Sequence, residues 1–157
     1  MEVKIQKDDL SSGLVAKLLN AHLQEMHRYS PPESIHALDT EKLMDPAVTF
    51  WSAIIDNNLA ACGALKQLSP DYGEIKSMKT DERYLRKGLA AKLLTEIIVE
   101  AEKRSYKRVS LETGSNDAFK PAIAMYERFG FVECGPFGDY QPDPYSKFFT
   151  KALGSSS

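Results

Sequence analysis

Cysteines, histidine clusters and long apolar runs are scarce in this sequence. Its 157 residues include only two cysteines, Cys62 and Cys134, which lie far apart in strand-like contexts. We interpret both as structural thiols, because free cysteine is among the most buried residue types and nothing supports a disulfide or a catalytic thiol. The histidines His22, His27 and His36 match no zinc-ligand spacing, so no metal site is expected.

A strong excess of charge is also missing. The formal net charge of −2 gives no general attraction to nucleic acid or to anionic membranes. No stretch approaches the roughly 18–20 apolar residues that span a bilayer, and the N-terminus MEVKIQKDD lacks the apolar run of a signal peptide. We therefore expect a cytoplasmic protein with no nucleic-acid or membrane partner.

The composition fits one folded domain. With 43% hydrophobic and 27% charged residues, the chain can bury one core but is too short for two ordinary domains. We expect a single domain over residues 1–153 and a disordered tail over residues 154–157. A homodimer is compatible with this composition.

Residues 73–94 carry the strongest functional signal. Polar and apolar residues alternate over residues 74–80, which predicts a strand, and apolar residues then recur at helical spacing. The turn between them, LRKGLA, contains Gly88, which lets an anion approach the backbone, beside the unpaired N–H groups of a helix start. Arg86 and Lys87 add positive charge. The turn is predicted to bind phosphate, and a solvated loop is the alternative interpretation.

A second segment, residues 122–131, supports the functional interpretation of the first segment. It reads AIAMYERFGF, a short helix closed by Gly130, with Pro121 suited to its first position. In this order the two segments resemble the GNAT superfamily of acetyl-CoA-dependent N-acetyltransferases, whose turn motif is (Q/R)xxGx(G/A) and whose last helix carries a tyrosine, here Tyr126. The resemblance covers nearly the whole chain, and the segments SPPESIHALD and ECGPFGDYQPDP resemble a bacterial subgroup of small-molecule acetyltransferases.

The chain departs from the family pattern at two positions. Leu85 stands where the turn motif has Gln or Arg, although Arg86 and Lys87 follow it. Phe119 stands where an asparagine often precedes the tyrosine, and Asn116 lies further upstream. We expect the first departure to adjust cofactor affinity, because backbone amides would hold most of the phosphate.

The resemblance implies an α/β fold with a twisted mixed sheet of about six to seven strands, helices on both faces and a splayed strand pair that forms the cofactor cleft. The residue patterns predict strands over 3–6, 48–55, 59–68, 74–80, 108–113, 131–136 and 147–151, and helices over 10–28, over a short segment ending at 44, from 89 and from 122. A dinucleotide-binding fold or a P-loop is not supported, because neither GxGxxG nor GK(S/T) occurs.

The resemblance also implies acetyl-CoA as co-substrate, without a metal. The residues that would contact it lie on the strand end, the turn and the helix start, and then further along the chain. They are Met78, Lys79, Thr80, Leu85, Arg86, Lys87, Gly88, Leu89, Ala90, Ala91, Asn116 and Tyr126.

Three side chains are candidates for proton transfer. A protonated amine must lose a proton before it attacks a thioester, so a base is needed, and Glu74 and Glu112 are the candidates. Either glutamate could instead be a solvated strand residue. Tyr126, at the family's tyrosine position, is expected to donate a proton to the leaving thiolate, and a packed core aromatic is the alternative.

The sequence says little about the acceptor. By resemblance, Tyr29, Glu33 and His36 would bind it, together with residues 135–146. The expected reaction transfers the acetyl group of acetyl-CoA to a primary amine of a small molecule by direct attack in a ternary complex. The alternatives are a protein or peptide N-acetyltransferase and a non-catalytic acyl-CoA-binding module.

Overall fold

The computed structural model describes residues 2–29 and 45–153. The predicted short helix ending at Met44 and the predicted tail over residues 154–157 lie outside the described residues. The described part forms a mixed sheet in the order β1-β2-β3-β4-β5-β7-β6, with helices on both faces, as predicted. The strands are β1 Lys4–Asp8, β2 Val48–Ile55, β3 Asn58–Ser69, β4 Tyr72–Thr80, β5 Arg108–Gly114, β6 Val132–Cys134 and β7 Ser146–Ala152, and the helices are α1 Leu14–Tyr29, α2 Leu89–Lys103 and α3 Lys120–Arg128.

The two faces of the sheet have separate apolar cores. On one face, α2 buries a stripe at helical spacing, which is the stripe that the sequence predicted, and α3 adds Met125 and Tyr126. On the other face, Val15 and Leu18 of α1 pack with Phe50 and Cys62. Burial of each large apolar side chain contributes about 1.5–3 kcal/mol. The stripe of α2 consists of Leu89, Leu93, Leu94, Ile97, Ile98 and Ala101.

The hairpin between β2 and β3 confirms the predicted tight turn. Its two loop residues, Asp56 and Asn57, have φ values of +50° and +66°. Asn and Asp tolerate this left-handed conformation, which suits a two-residue hairpin loop.

The predicted start of the first helix was wrong by four residues, because α1 begins at Leu14 and not at Leu10. The Asp8 and Asp9 side chains accept hydrogen bonds from the backbone N–H groups of Leu10 and Ser11, and Leu10 has a φ of +68°. These side-chain turns compete with helix formation and delay its start.

The strands β4 and β5 separate part-way along their length, as the family resemblance implied. They pair in parallel from Tyr72 with Arg108 to Ile75 with Leu111. Beyond this point β4 continues beside β3 and β5 continues beside β7. A bulge in β4, where Ser77 has a φ of +57°, adds to the bend of this strand. The separation leaves an opening in the sheet.

Candidate active site

A cavity of about 600 Å³ lies beside the separated end of β4. Its wall is built from the last residues of β4, the following turn, the first turn of α2 and one side of α3. This wall includes every residue that the resemblance assigned to acetyl-CoA except Asn116. The turn before α2 and the helix α3, which carries Tyr126, are far apart in sequence but therefore line the same cavity.

The start of α2 forms one end of the cavity and has the features of an anion site. Gly88 precedes the helix with a φ of +76°, and a Cβ added to it would meet nothing within 4 Å. The Leu89 side chain is buried in the core, while Ala90 and Ala91 have short side chains that leave room beside the cavity. The N–H groups of this turn have no partners within the helix, and the macrodipole makes the region positive. A helix start of this kind can accept phosphate oxygens.

Two basic residues stand next to this helix start. Arg86 and Lys87 line the cavity, and both are exposed to solvent. Leu85, which replaces the family's Gln or Arg, is 54% exposed, so its side chain is not needed for the core. The positive charge of the turn therefore comes from the two residues that follow Leu85.

Tyr126 lies on the α3 side of the cavity. Only 6% of the residue is exposed, and its ring contacts the Phe131 ring edge-on at 5.8 Å between centroids. Burial raises the pKa of the Tyr126 hydroxyl to about 12, so the group stays protonated at neutral pH. Burial alone causes this shift, with no hydrogen bond contributing to it. The hydroxyl can therefore donate to a ligand in the cavity.

Other residues of the cavity wall were not predicted. Tyr84 belongs to a short 3-10 turn after β4, and Phe119 to another before α3. A Cβ on Gly114 would overlap the Phe119 ring, so the glycine at the end of β5 makes room for this aromatic side chain. Phe119 stands at the position where the family often has an asparagine, but no sequence pattern pointed to Tyr84, because its position depends on where β4 ends. The remaining unpredicted wall residues are Glu82, Ala118, Pro121, Ala122, Met125 and Arg128.

Asn116 lies outside the cavity wall. Its Oδ1 accepts a hydrogen bond of 3.0 Å from the backbone N–H of Ala118 and so begins the 3-10 turn Asp117–Phe119. This local role explains an asparagine at position 116 without a cofactor contact.

The two candidate base residues lie on the opposite face of the sheet from α2. Their neighbours Ile75 and Leu111 point into the α2 core, and strand side chains alternate between faces. Glu74 is 4% exposed, and its Oε2 accepts hydrogen bonds from the Tyr140 hydroxyl at 2.6 Å and from Lys76 Nζ at 3.0 Å. The Tyr140 and Lys76 contacts were not predicted.

Glu112 is half-buried two residues beyond Ser110, the register partner of Glu74. Its Oε2 accepts a hydrogen bond of 2.7 Å from the Ser146 hydroxyl of β7. The carboxylates of Glu74 and Glu112 therefore flank the place where β4 and β5 part. Of the predicted acceptor residues, Tyr29 ends α1, whereas Glu33 and His36 lie outside the described residues.

The described residues show neither a metal-binding cluster nor a membrane-spanning helix. Residues 2–29 and 45–153 contain no group of three His, Cys, Asp or Glu side chains that could hold a metal ion. Among the helices of the same residues, none is long and apolar enough to cross a membrane.

Comparison with known proteins gave consistent matches. The family model named acetyltransferase (GNAT) family matches residues 15–131. An uncharacterized N-acetyltransferase of Bacillus subtilis, YsnE, is 56% identical over 153 residues, which cover 98% of this chain and 100% of that protein. An uncharacterized N-acetyltransferase of Escherichia coli, YedL, is 45% identical over 149 residues, with 95% of this chain and 94% of that protein covered.

A solved structure shares the fold across its full length. The PaiA N-acetyltransferase of Thermoplasma acidophilum, in complex with coenzyme A, superimposes with a TM-score of 0.76 and 16% identity. The superposition covers 98% of this chain and 100% of that chain. At this identity the similarity concerns the fold alone.

Proposed function

Since the chain belongs to the acetyltransferase (GNAT) family, we propose that it transfers the acetyl group of acetyl-CoA to the primary amine of a small molecule, by direct attack in a ternary complex. The observation that carries this proposal is the cavity beside the separated strands, with Gly88 at its basic end and Tyr126 in its wall. Glu74 and Glu112 lie on the other face of the sheet at the same opening.

The described residues suit acetyl-CoA chemically. Bound acetyl-CoA supplies the acetyl thioester. The open space at Gly88 and the N–H groups that follow it would hold the pyrophosphate, while Arg86 and Lys87 balance its charge. Met78 and Met125 add apolar wall beside Tyr126 for the uncharged part of the molecule.

Glu74 and Glu112 make the face of the sheet opposite α2 suitable for binding the amine and removing its proton. A primary amine such as that of lysine has a pKa of about 10.4 and is mostly protonated at neutral pH. Carboxylates at Glu74 and Glu112 attract the ammonium form and can accept its proton directly or through water. Glu74 already carries hydrogen bonds from Lys76 and Tyr140, so the structure favours water-mediated transfer or a binding role for this residue.

Tyr126 would act on the departing sulfur. Full proton transfer from a phenol of pKa about 12 to a thiolate whose acid has a pKa of about 8.5 is uphill by roughly 4–5 kcal/mol. Hydrogen-bond donation that strengthens as the carbon–sulfur bond breaks requires no such prior transfer. We therefore assign Tyr126 the role of a donor that stabilises charge on sulfur.

A direct assay tests the proposal. Purified protein would be mixed with acetyl-CoA and a panel of polyamines, amino sugars, amino acids and lysine peptides, and free thiol release would be followed. Turnover with a small amine supports the proposal, and turnover with peptides alone would indicate a protein-modifying enzyme. Coenzyme A binding without turnover on any amine would indicate a binding module and would refute the proposed reaction.

A further inference from the structure

We propose that Tyr140 is a positioning residue for the acceptor side of the active site, where its hydroxyl orients the Glu74 carboxylate and ties the β6–β7 loop to β4. The inference rests on the proposed function, because it concerns the amine-binding face of the same site. The sequence placed this tyrosine only within the acceptor segment over residues 135–146 and gave no link to Glu74, which lies 66 positions away.

The three polar groups of this cluster form a closed triangle of hydrogen bonds. The Tyr140 hydroxyl donates to Glu74 Oε2 at 2.6 Å, and Lys76 Nζ donates to the same oxygen at 3.0 Å and to the Tyr140 oxygen at 2.8 Å. Burial, together with the charge of Glu74, holds the pKa of Tyr140 far above its ordinary value, so the hydroxyl keeps its proton. The short distance is typical of a hydrogen bond to a charged acceptor.

The Tyr140 ring is fixed independently of its hydroxyl. It contacts the ring of Phe137, in the same loop, at 5.2 Å and the ring of Phe148, on β7, at 5.5 Å. Lys76 Nζ also lies 5.5 Å from the ring centroid. Aromatic pairs at these distances hold their geometry. Replacing Tyr140 by phenylalanine should therefore remove the hydrogen bonds and leave the packing in place.

The position of this cluster explains why it should affect the amine and not acetyl-CoA. Glu74 and Lys76 flank Ile75, the last residue of β4 that pairs with β5. Tyr140 is absent from the wall of the cavity assigned to acetyl-CoA, which lies beside α2 and α3. The hydroxyl therefore restrains a carboxylate on the acceptor side of the opening.

The first experiment compares Tyr140→Phe with Tyr72→Phe. Tyr72 belongs to the same aromatic cluster, 6.3 Å from Phe137, but its hydroxyl bonds Ser110 Oγ at 2.7 Å. Tyr140→Phe should lower kcat/KM for the amine by roughly 10-fold to 100-fold, the range for a hydrogen bond to a charged group, while coenzyme A affinity stays unchanged. Tyr72→Phe should change neither. Equal losses in the two variants, or a Tyr140→Phe variant with wild-type kinetics, would overturn the inference.

A double-mutant cycle tests whether Tyr140 acts through Glu74. If it does, Tyr140→Phe added to Glu74→Gln should cause a much smaller further loss in kcat/KM than it causes in the wild-type protein. Losses that multiply in full would show that the two side chains act separately and would overturn the positioning role.

A readout that needs no acceptor separates this inference from the proposed function. Proton NMR should show a slowly exchanging hydroxyl resonance in the wild type and in Tyr72→Phe that disappears in Tyr140→Phe and shifts in Glu74→Gln. Its absence from the wild type overturns the inference, whatever the activity. A wild-type protein that shows the resonance but acetylates no amine refutes the proposed function and the positioning role together.

Discussion

Ile75 pairs with Leu111 in the last parallel step between β4 and β5, and beyond this pair each strand keeps only its other neighbour among the described residues. Both side chains are buried in the α2 core, which holds the strands together up to this point. The opening that follows lies between the cavity on one face and Glu74 on the other. Changes on the two faces should therefore affect acetyl-CoA and amine separately.

Gly88→Glu should weaken coenzyme A binding at least about tenfold. The variant places bulk and negative charge in the open space beside the first N–H groups of α2, where like charges cost several kcal/mol. Isothermal titration calorimetry with coenzyme A measures the change. A folded variant with wild-type affinity would show that the phosphates bind elsewhere.

Gly13 supplies a matched control for the backbone strain of that variant. It precedes α1 with the same φ of +76° and the same open space around an added Cβ, but it does not line the cavity. Both Gly13→Glu and Gly88→Glu should lose about 1 kcal/mol of stability from the left-handed conformation. Only Gly88→Glu should lose coenzyme A affinity.

Coenzyme A should raise the melting temperature of the wild-type protein. A ligand that binds only the folded state stabilises it by about 2.7 kcal/mol at a concentration of 100 Kd. Thermal melts over a series of ligand concentrations measure the effect, and Gly88→Glu should need more ligand for the same shift. No shift at millimolar coenzyme A would contradict the assignment of the cavity.

Tyr126→Phe should slow turnover by about 10²–10³, the usual cost of removing one preorganised hydrogen-bond donor to developing charge, without weakening coenzyme A binding. The ring keeps its contact with Phe131, so stability should change little. Because burial raises the Tyr126 pKa to about 12, the ratio of wild-type to variant rates should stay constant from about pH 6 to 9. Tyr72→Phe, whose side chain does not line this cavity, is the control and should retain activity. Wild-type turnover in Tyr126→Phe would remove this hydroxyl from the mechanism.

The Cys62 thiol should make the fold less stable at alkaline pH. Burial raises its pKa from 9.0 to about 12, so the folded state holds the proton more tightly than the unfolded state. The contribution of this thiol to the free energy of unfolding is fully present below pH 9 and is lost as the pH rises from 9 to 12. The loss is at most about 4 kcal/mol. Urea unfolding at several pH values should show a shallower alkaline loss in Cys62→Ala. Burial also raises the pKa of Cys134, but at a partly exposed site, so Cys134→Ala should flatten the slope less than Cys62→Ala.

Local patterns were enough to predict much of the cavity. The alternation over residues 74–80 and the apolar stripe after Gly88 predicted β4 and α2 because each records which side of one element is buried. The residues assigned to acetyl-CoA over 78–91 lie within this single strand, turn and helix start. Whether those residues bind acetyl-CoA is still a prediction.

Local patterns failed where neighbouring side chains changed the outcome. The helix start at Leu10 was wrong because Asp8 and Asp9 form their own turns. A short-range hydrogen bond, which leaves no periodic signal, therefore moved the helix start. Asn116 was assigned to the cofactor by resemblance, and this assignment stays a prediction, although its Oδ1 accepts a hydrogen bond from Ala118.

The sequence by itself determined the order of the strands and helices along the chain, the glycine turn at Gly88 before a helix and the tyrosine on the last helix. Only the tertiary structure brought Tyr140 to Glu74 and Lys76, and Phe119 to Gly114. The reason is physical, since periodicity in a sequence reports whether a segment is buried on one side. Which distant side chain packs against that buried side depends on where the strands separate and on which part of the sheet each loop folds back onto.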